Sequence, residues 1–230
     1  QELINNKKWY CLLLVNCPPE VLKAMALVLN RVKKCKEDRL KANTAESTRL
    51  ANTPTLFREQ INPDSYLLIP CVSSERRKYV PIGFLDKNTI PVMGTLIIPN
   101  AALYDFGILT SNVHMAWMRA VAGRLKSDYR YSKDIVYNNF PLCNPTKEQK
   151  EKIEKTAQEI LDARALYPNS SLADLYDELT MPKELRKAHQ ENDKAVMEAY
   201  GFDWKKMTES DCVAELMRMY EELAGDYKHV

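Results

Sequence analysis

The sequence predicts an α+β protein: a mixed, irregular, short-stranded sheet with packed helices over residues 1–143, then a small all-α domain over residues 144–230. Three observations predict it. Short apolar runs punctuated by prolines fill the stretch from 66 to 99. Apolar residues recur at three- and four-residue steps near the start and throughout the last third. The charge also changes sign along the chain. Residues 1–140 hold 20 Lys and Arg against 12 Asp and Glu, net +8, whereas residues 141–230 hold 13 against 19, net −6.

The first element is WYCLLLV (9–15), the longest apolar run. Lys7 and Lys8 precede it, as in a secretory leader, but CPPE follows without a small-residue cleavage site, so it reads as a buried strand. Pro18 and Pro19 end it, and Pro19 suits the first turn of a helix. Over residues 20–41, Val21, Met25, Val28, Leu29, Val32 and Cys35 form an apolar stripe. The opposite face carries Lys23, Arg31, Lys33, Lys34, Lys36 and Arg39, a set that either tracks phosphates or is a solvated helix face. Residues 43–64 are polar and read as a loop or short helix. Strands are expected at YLLIPCV (66–72), KYVPIGFL (78–85) and GTLIIP (94–99), with Pro70, Pro81, Pro91 and Pro99 marking edges, bulges or strand ends. A helix follows in FGILTSNVHMAWMRAVAGR, capped by Thr110 or Ser111 and closed by Gly123 in a left-handed conformation. Residues 124–131 read as a strand. Beyond the boundary at Asn144-Pro145, helices are expected at 146–166, 171–179, 182–200 and 208–224, with Pro182 in a first turn and Gly201 at a helix end.

Composition narrows the function classes. The chain has 230 residues, 45% apolar and 28% charged. No run of 18 apolar residues occurs, so no membrane span is expected. The six cysteines are scattered without C-x-x-C pairs, and His114, His189 and His229 lie far apart. Neither zinc ligation nor a disulfide framework is expected, and the cytoplasm is the natural compartment. The first residue, Gln1, reads as the start of a piece of a longer polypeptide. Phosphate-cradling glycine loops, the nucleophile elbow and the H-E-x-x-H motif are all missing, so no catalytic residues are assigned.

The segment GRLKSDYRYSKDIVYNNFP (123–141) is basic and aromatic. On a strand, alternate side chains share a face, so Lys126, Asp128 and Arg130 point one way and Ser127, Tyr129 and Tyr131 the other. Lysine donates to guanine O6 and N7, aspartate accepts from cytosine N4, and arginine presents a fork to a second guanine or a phosphate. The alternative is an exposed strand whose charges pair with one another, which stabilises by only about 0–1 kcal/mol. A second basic knot, SSERRKY (73–79), offers Ser73, Ser74, Arg76, Arg77 and Lys78 to phosphate oxygens, or is a charged hairpin end. Arg124 and Lys133 join the phosphate-binding set. His114, Met115, Trp117 and Met118 read as core.

In order, WYCLLLVNCPPEVLKAMALVLNRV, NTPTLF, SSERRKYVPIGFL, FGILTSNVHMAWMRAVAGRLKSDYRYSKDIVYNNFP and LYDELTMPKELRKAHQENDKAVMEAYG resemble the C-terminal part of the MmeI-like family. These are fused bacterial restriction–modification proteins, type IIL or IIG, with an adenine-specific DNA methyltransferase domain. The resemblance implies a DNA target-recognition domain over 1–143 and a helical C-terminal domain over 144–230. It implies double-stranded DNA and an upstream methyltransferase domain of the same polypeptide as partners. S-adenosylmethionine, and magnesium where a nuclease domain is present, would serve the parent enzyme; no cofactor is expected in this chain. Asn16-Cys17-Pro18-Pro19 is not the family's N-P-P-[YF] motif, because the order differs and no aromatic follows. The resemblance further implies base-reading side chains at Lys126, Asp128 and Arg130, and a specificity position near Gly94, whose missing side chain cannot hydrogen-bond a base edge. The competing expectation is a protein-interaction scaffold linking subunits of a restriction–modification complex.

Overall fold

The computed structural model describes residues 4, 5, 7 and 9–226. By compactness the chain forms two units, Lys8–Asn62 and a larger one of Gln1–Lys7 with Pro63–Val230.

The smaller unit is helical. Its helices are α1 (Pro19–Ala24), α2 (Ala26–Leu40) and α3 (Ala45–Leu50). Pro19 opens α1 as expected, but the single helix predicted over 20–41 breaks at Met25, whose ψ of 77° leaves the helical region. Thr44 caps α3 by accepting from the Ser47 N–H. The predicted strand WYCLLLV is not a strand here. Residues 9–14 are irregular, with Trp9 79% and Tyr10 91% exposed, because no neighbouring strand pairs with them. Arg39 is no phosphate tracker either. Its guanidinium donates to the carbonyls of Leu50 (2.9 Å), Thr53 (3.0 Å) and Leu56 (2.7 Å), fastening the loop after α3 to α2.

The larger unit begins with β1 (Ser65–Pro70) and β2 (Val72–Ser73), then β3 (Gly83–Asp86) and β4 (Thr95–Pro99). Strand β1 is central in an antiparallel sheet of order β3-β1-β4, with Leu67 opposite Phe84 on one side and Ile98 on the other. Its residues 66–70 are buried. Pro70 and Pro99 end their strands, as a residue without an N–H should. The strand expected over 78–85 is paired only from Gly83 onward; Tyr79, Val80 and Ile82 are buried as non-strand core.

Two helices follow, α4 (Leu103–Leu109) and α5 (Asn112–Val121). Ser111 is the cap of α5, its Oγ accepting from the His114 N–H. Gly123 does not close that helix. Ala122 leaves it in an extended conformation, and Gly123 opens the hairpin β5 (Gly123–Leu125) and β6 (Asp128–Arg130), which joins β2 in a second antiparallel sheet of order β2-β6-β5. A single π-helical turn, Lys133–Tyr137, comes next, held by the Trp117 indole N–H donating to Val136 O at 3.0 Å.

The last third is helical as predicted: α6 (Lys147–Ala165), α7 (Leu172–Leu175), α8 (Lys183–Ala199) and α9 (Glu209–Asp226). Thr146 with Gln149, and Ser171 with Asp174, form capping boxes. Pro182 stands one position earlier than expected, as the cap of α8, and Gly201 ends that helix at φ 74°. One apolar core runs from Leu67 of β1 through Trp117 of α5 to Ile153, Leu185 and Leu216 of α6, α8 and α9. Helices α4 and α6 approach closely because Gly107 has no side chain; a Cβ there would stand 2.6 Å from Ile153 Cγ2. Among the described residues no helix is long and apolar enough to cross a membrane.

Candidate nucleic-acid interface

The three-stranded sheet β2-β6-β5 brings the two basic knots together. Val72 and Gly123 flank Arg130, while Ser73 and Arg124 flank Tyr129. Directly paired residues share a sheet face. Val72, Arg130, Gly123, Leu125 and Asp128 therefore lie on one face, and Ser73, Tyr129 and Arg124 on the other. Tyr129 is buried, Arg130 exposed and Asp128 half-buried, so the first face is the open one.

Lys126 is not on that strand. With Ser127 it makes the two-residue turn of the hairpin, at φ 58°. The expected row of three charges on one extended segment is thus corrected to two, Asp128 and Arg130, with Lys126 exposed at the tip. The strand ends there because a two-residue turn needs positive φ at a central position. Among the described residues, none of the three makes an ion pair or a side-chain hydrogen bond. The alternative in which these charges satisfy one another is absent from the structure.

The phosphate-binding candidates divide. Arg76 and Lys78 are exposed, while Arg77 and Ser74 are half-exposed on the turn closed by Arg77 N–H donating to Ser74 O at 3.1 Å. Ser73 is a correction. It is 3% exposed on the inner face, its Oγ has no partner, and no phosphate reaches it. Arg124 lies over the Tyr129 ring, 3.8 Å from the centroid, donates to Ser127 O at 2.8 Å and stands 3.7 Å from Glu75. That side chain stiffens the hairpin and ties it to the SSERRK turn. Lys133 is exposed and stands 3.6 Å from Asp134.

Gly94 is joined to the hairpin through Cys71. The Cys71 N–H donates to Gly94 O at 3.0 Å, and the Tyr131 N–H donates to Cys71 O at 2.8 Å. Gly94 has φ 88°, and a Cβ there would meet nothing within 4 Å. Backbone bonding thus places residues near 71, 94 and 130 side by side.

Sequence reasoning missed two groups. Leu125, 52% exposed, and Val72, 37% exposed, stand on the open face beside Asp128 and Arg130. Apolar residues alternating with charged ones were the signal. The second group is buried. Asp193 of α8 accepts from Tyr79 Oη at 2.6 Å and from the Asn112 N–H at 2.7 Å. Burial raises its carboxyl to about 6. Arg119 donates to Lys78 O at 3.2 Å and forks onto Glu209. These contacts hold the SSERRK turn and the start of α5 against α8 and α9. Nothing in the spacing of Asp193 along its helix announces this role.

His114, Met115, Trp117 and Met118 are core, as read. The His114 Nε2 lies 2.8 Å from Tyr131 Oη, and burial lowers its pKa to about 3. His229 lies outside the described residues. Among those described, no three His, Cys, Asp or Glu side chains gather as a metal would require.

Residues 1–144 match the family model of the MmeI target recognition domain, and residues 145–227 that of the MmeI C-terminal domain. The chain belongs to the MmeI family. DNA methyltransferase A of Bacillus subtilis (strain 168) is 39% identical over 225 residues, covering 96% of this chain and 25% of that protein. The type IIL restriction–modification enzyme MmeI, solved in complex with DNA, matches with a TM-score of 0.94 and 47% identity over 97% of this chain and 30% of that one. The chain thus spans about a quarter of the first relative and under a third of the second.

Proposed function

We propose that this chain reads a specific sequence in duplex DNA for a restriction–modification methyltransferase that modifies adenine N6 after base flipping. The observation that carries the reading is the open face of the β2-β6-β5 sheet. It presents unpaired Asp128 and Arg130, with Lys126 at the hairpin tip, and is edged by Arg76, Arg77 and Lys78. A two-stranded ribbon fits the major groove, where these groups match cytosine N4 and guanine O6 and N7. Family membership and the DNA-bound relative support it.

In this reading Lys126, Asp128 and Arg130 contact base edges. Ser74, Arg76, Arg77, Lys78, Arg124 and Lys133 neutralise phosphates and set the register. Leu125 offers an apolar contact to a thymine methyl. The methyl transfer, its S-adenosylmethionine, and magnesium for any nuclease step belong to other parts of the polypeptide, and the bacterial cytoplasm is the compartment.

Titrating the chain against duplex DNA at two salt concentrations tests this. Sequence-specific binding with a steep salt slope is expected, about −0.9 in log–log terms per phosphate contact. Exchanging Lys126 and Asp128 together should change the preferred base pair. Binding that ignores both sequence and salt would overturn the reading, and an unaltered recognition sequence in the exchanged variant would remove the two residues as readers.

A further inference from the structure

The smaller unit has almost no interior. Ala51 is its one buried apolar residue among those described, and α1 and α2 bury none. What fastens it is polar: the Arg39 guanidinium on three carbonyls, the Thr44 cap and the Arg58–Glu46 pair at 2.9 Å. Meanwhile Trp9, Tyr10, Leu12, Leu13, Val15, Val21 and Leu27 are exposed. Hydrophobic burial is the main term opposing chain entropy, so a unit built this way leaves its stabilising surface unused. An exposed apolar patch of this kind marks an interaction surface.

The form of the patch narrows the partner. In WYCLLLV the apolar residues occupy both alternating faces, the pattern of a strand covered on both sides. Yet no backbone hydrogen bond pairs residues 9–13 with any other strand among the described residues. Such a segment completes a sheet supplied by something else. The relatives are three to four times longer than the matched region, so most of each lies outside it.

We propose that residues 9–15 add as a strand to the methyltransferase part of the same polypeptide, with Val21 and Leu27 covering its flank. This rests on the function proposed above. The docked strand anchors the reading hairpin's domain to the catalytic part through burial rather than through a flexible linker.

Hydrogen exchange read by mass spectrometry, on the full-length polypeptide and on this 230-residue chain, tests the docking. The amides of residues 9–15 should exchange at the rate of an unstructured peptide in the chain, and more slowly by roughly tenfold or more in the full-length protein. The double variant Trp9→Asp, Leu13→Asp should abolish that protection and the methylation activity of the full-length protein. In the 230-residue chain it should leave the DNA Kd essentially unchanged, because neither residue belongs to the proposed reading set. Leu179→Asp, at an exposed leucine of the larger unit, should change neither property. Equal exchange in both proteins, or full activity in the double variant, overturns the docking. So does protection that appears in the chain alone as its concentration rises, which would make the occupant a second copy. The two proposals fail separately. Loss of sequence-specific DNA binding by the chain with protection intact refutes only the function, and the converse refutes only the docking.

Discussion

In the proposed function Arg130 and Arg76 carry the same charge to different work. Arg130 stands on the open face of a strand, between a glycine and a valine, with no carboxylate to hold it. Arg76 sits on an exposed turn. Arg130→Ala should cost roughly 1–3 kcal/mol of discrimination at one base pair. Arg76→Ala should weaken all sequences about equally and lower the salt slope by about one phosphate. Competition binding with a panel of single-base variants at two salt concentrations distinguishes them. A uniform loss from Arg130→Ala would move it to the phosphate set. Periodicity cannot make this distinction: residue types were legible at both positions, but the turn or strand beneath each was not.

At the scale of the element, the hairpin tip stores strain. Lys126 adopts φ 58°, a region that costs an L-residue roughly 1–2 kcal/mol. Lys126→Gly should therefore slow amide exchange at Tyr129 and Arg130 while weakening base discrimination, so stability and recognition move in opposite directions. Faster exchange would show that the lysine side chain, rather than the backbone conformation, holds the turn. The helix pair α4–α6 makes the opposite test. Gly107→Ala places a methyl 2.6 Å from Ile153 Cγ2, 3.1 Å from Asn192 Oδ1 and 3.2 Å from Ala157 Cβ. Overpacking of this kind costs about 1–3 kcal/mol, read as a lowered urea midpoint at unchanged m-value. A neutral substitution would mean that the two helices separate freely.

The larger unit behaves as one body because its buried polar groups join distant parts. Asn192 donates to Gly107 O at 2.8 Å, Arg164 donates to Ile82 O at 2.8 Å, and the Asp193 carboxylate binds Tyr79 and Asn112. Burial also makes its stability pH-dependent. His114, lowered from 6.5 to about 3, contributes stability that is present above pH 6.5 and lost as pH falls. His189, lowered chiefly by burial and then by Arg164 and Lys78, acts in the same direction. Asp193, raised from 3.8 to about 6, contributes stability that is present below pH 3.8 and lost as pH rises through its folded value. The two histidines act against the one aspartate, so between about pH 6 and 4 stability should fall on acidification. Urea unfolding at pH 7, 6, 5 and 4 measures it. A profile that is flat or rises toward acid would show the histidines to be charged in the folded state.

Sequence alone specified the helices after 146, the approximate places of the first sheet's strands and the residue types of the proposed reading segment. Each depends on local periodicity, proline or a capping side chain, and such signals act within a few residues. Tertiary structure decided that Ser73 faces inward, that Gly94 stands beside the hairpin through Cys71, and that Asp193 holds the turn carrying Arg76 to Lys78. The hairpin turn at Lys126 is local, Leu125 pairing with Asp128, whereas these outcomes depend on contacts between residues tens of positions apart. The misread strand at 9–15 has the same origin: its pattern specifies burial, and only a partner strand can supply it.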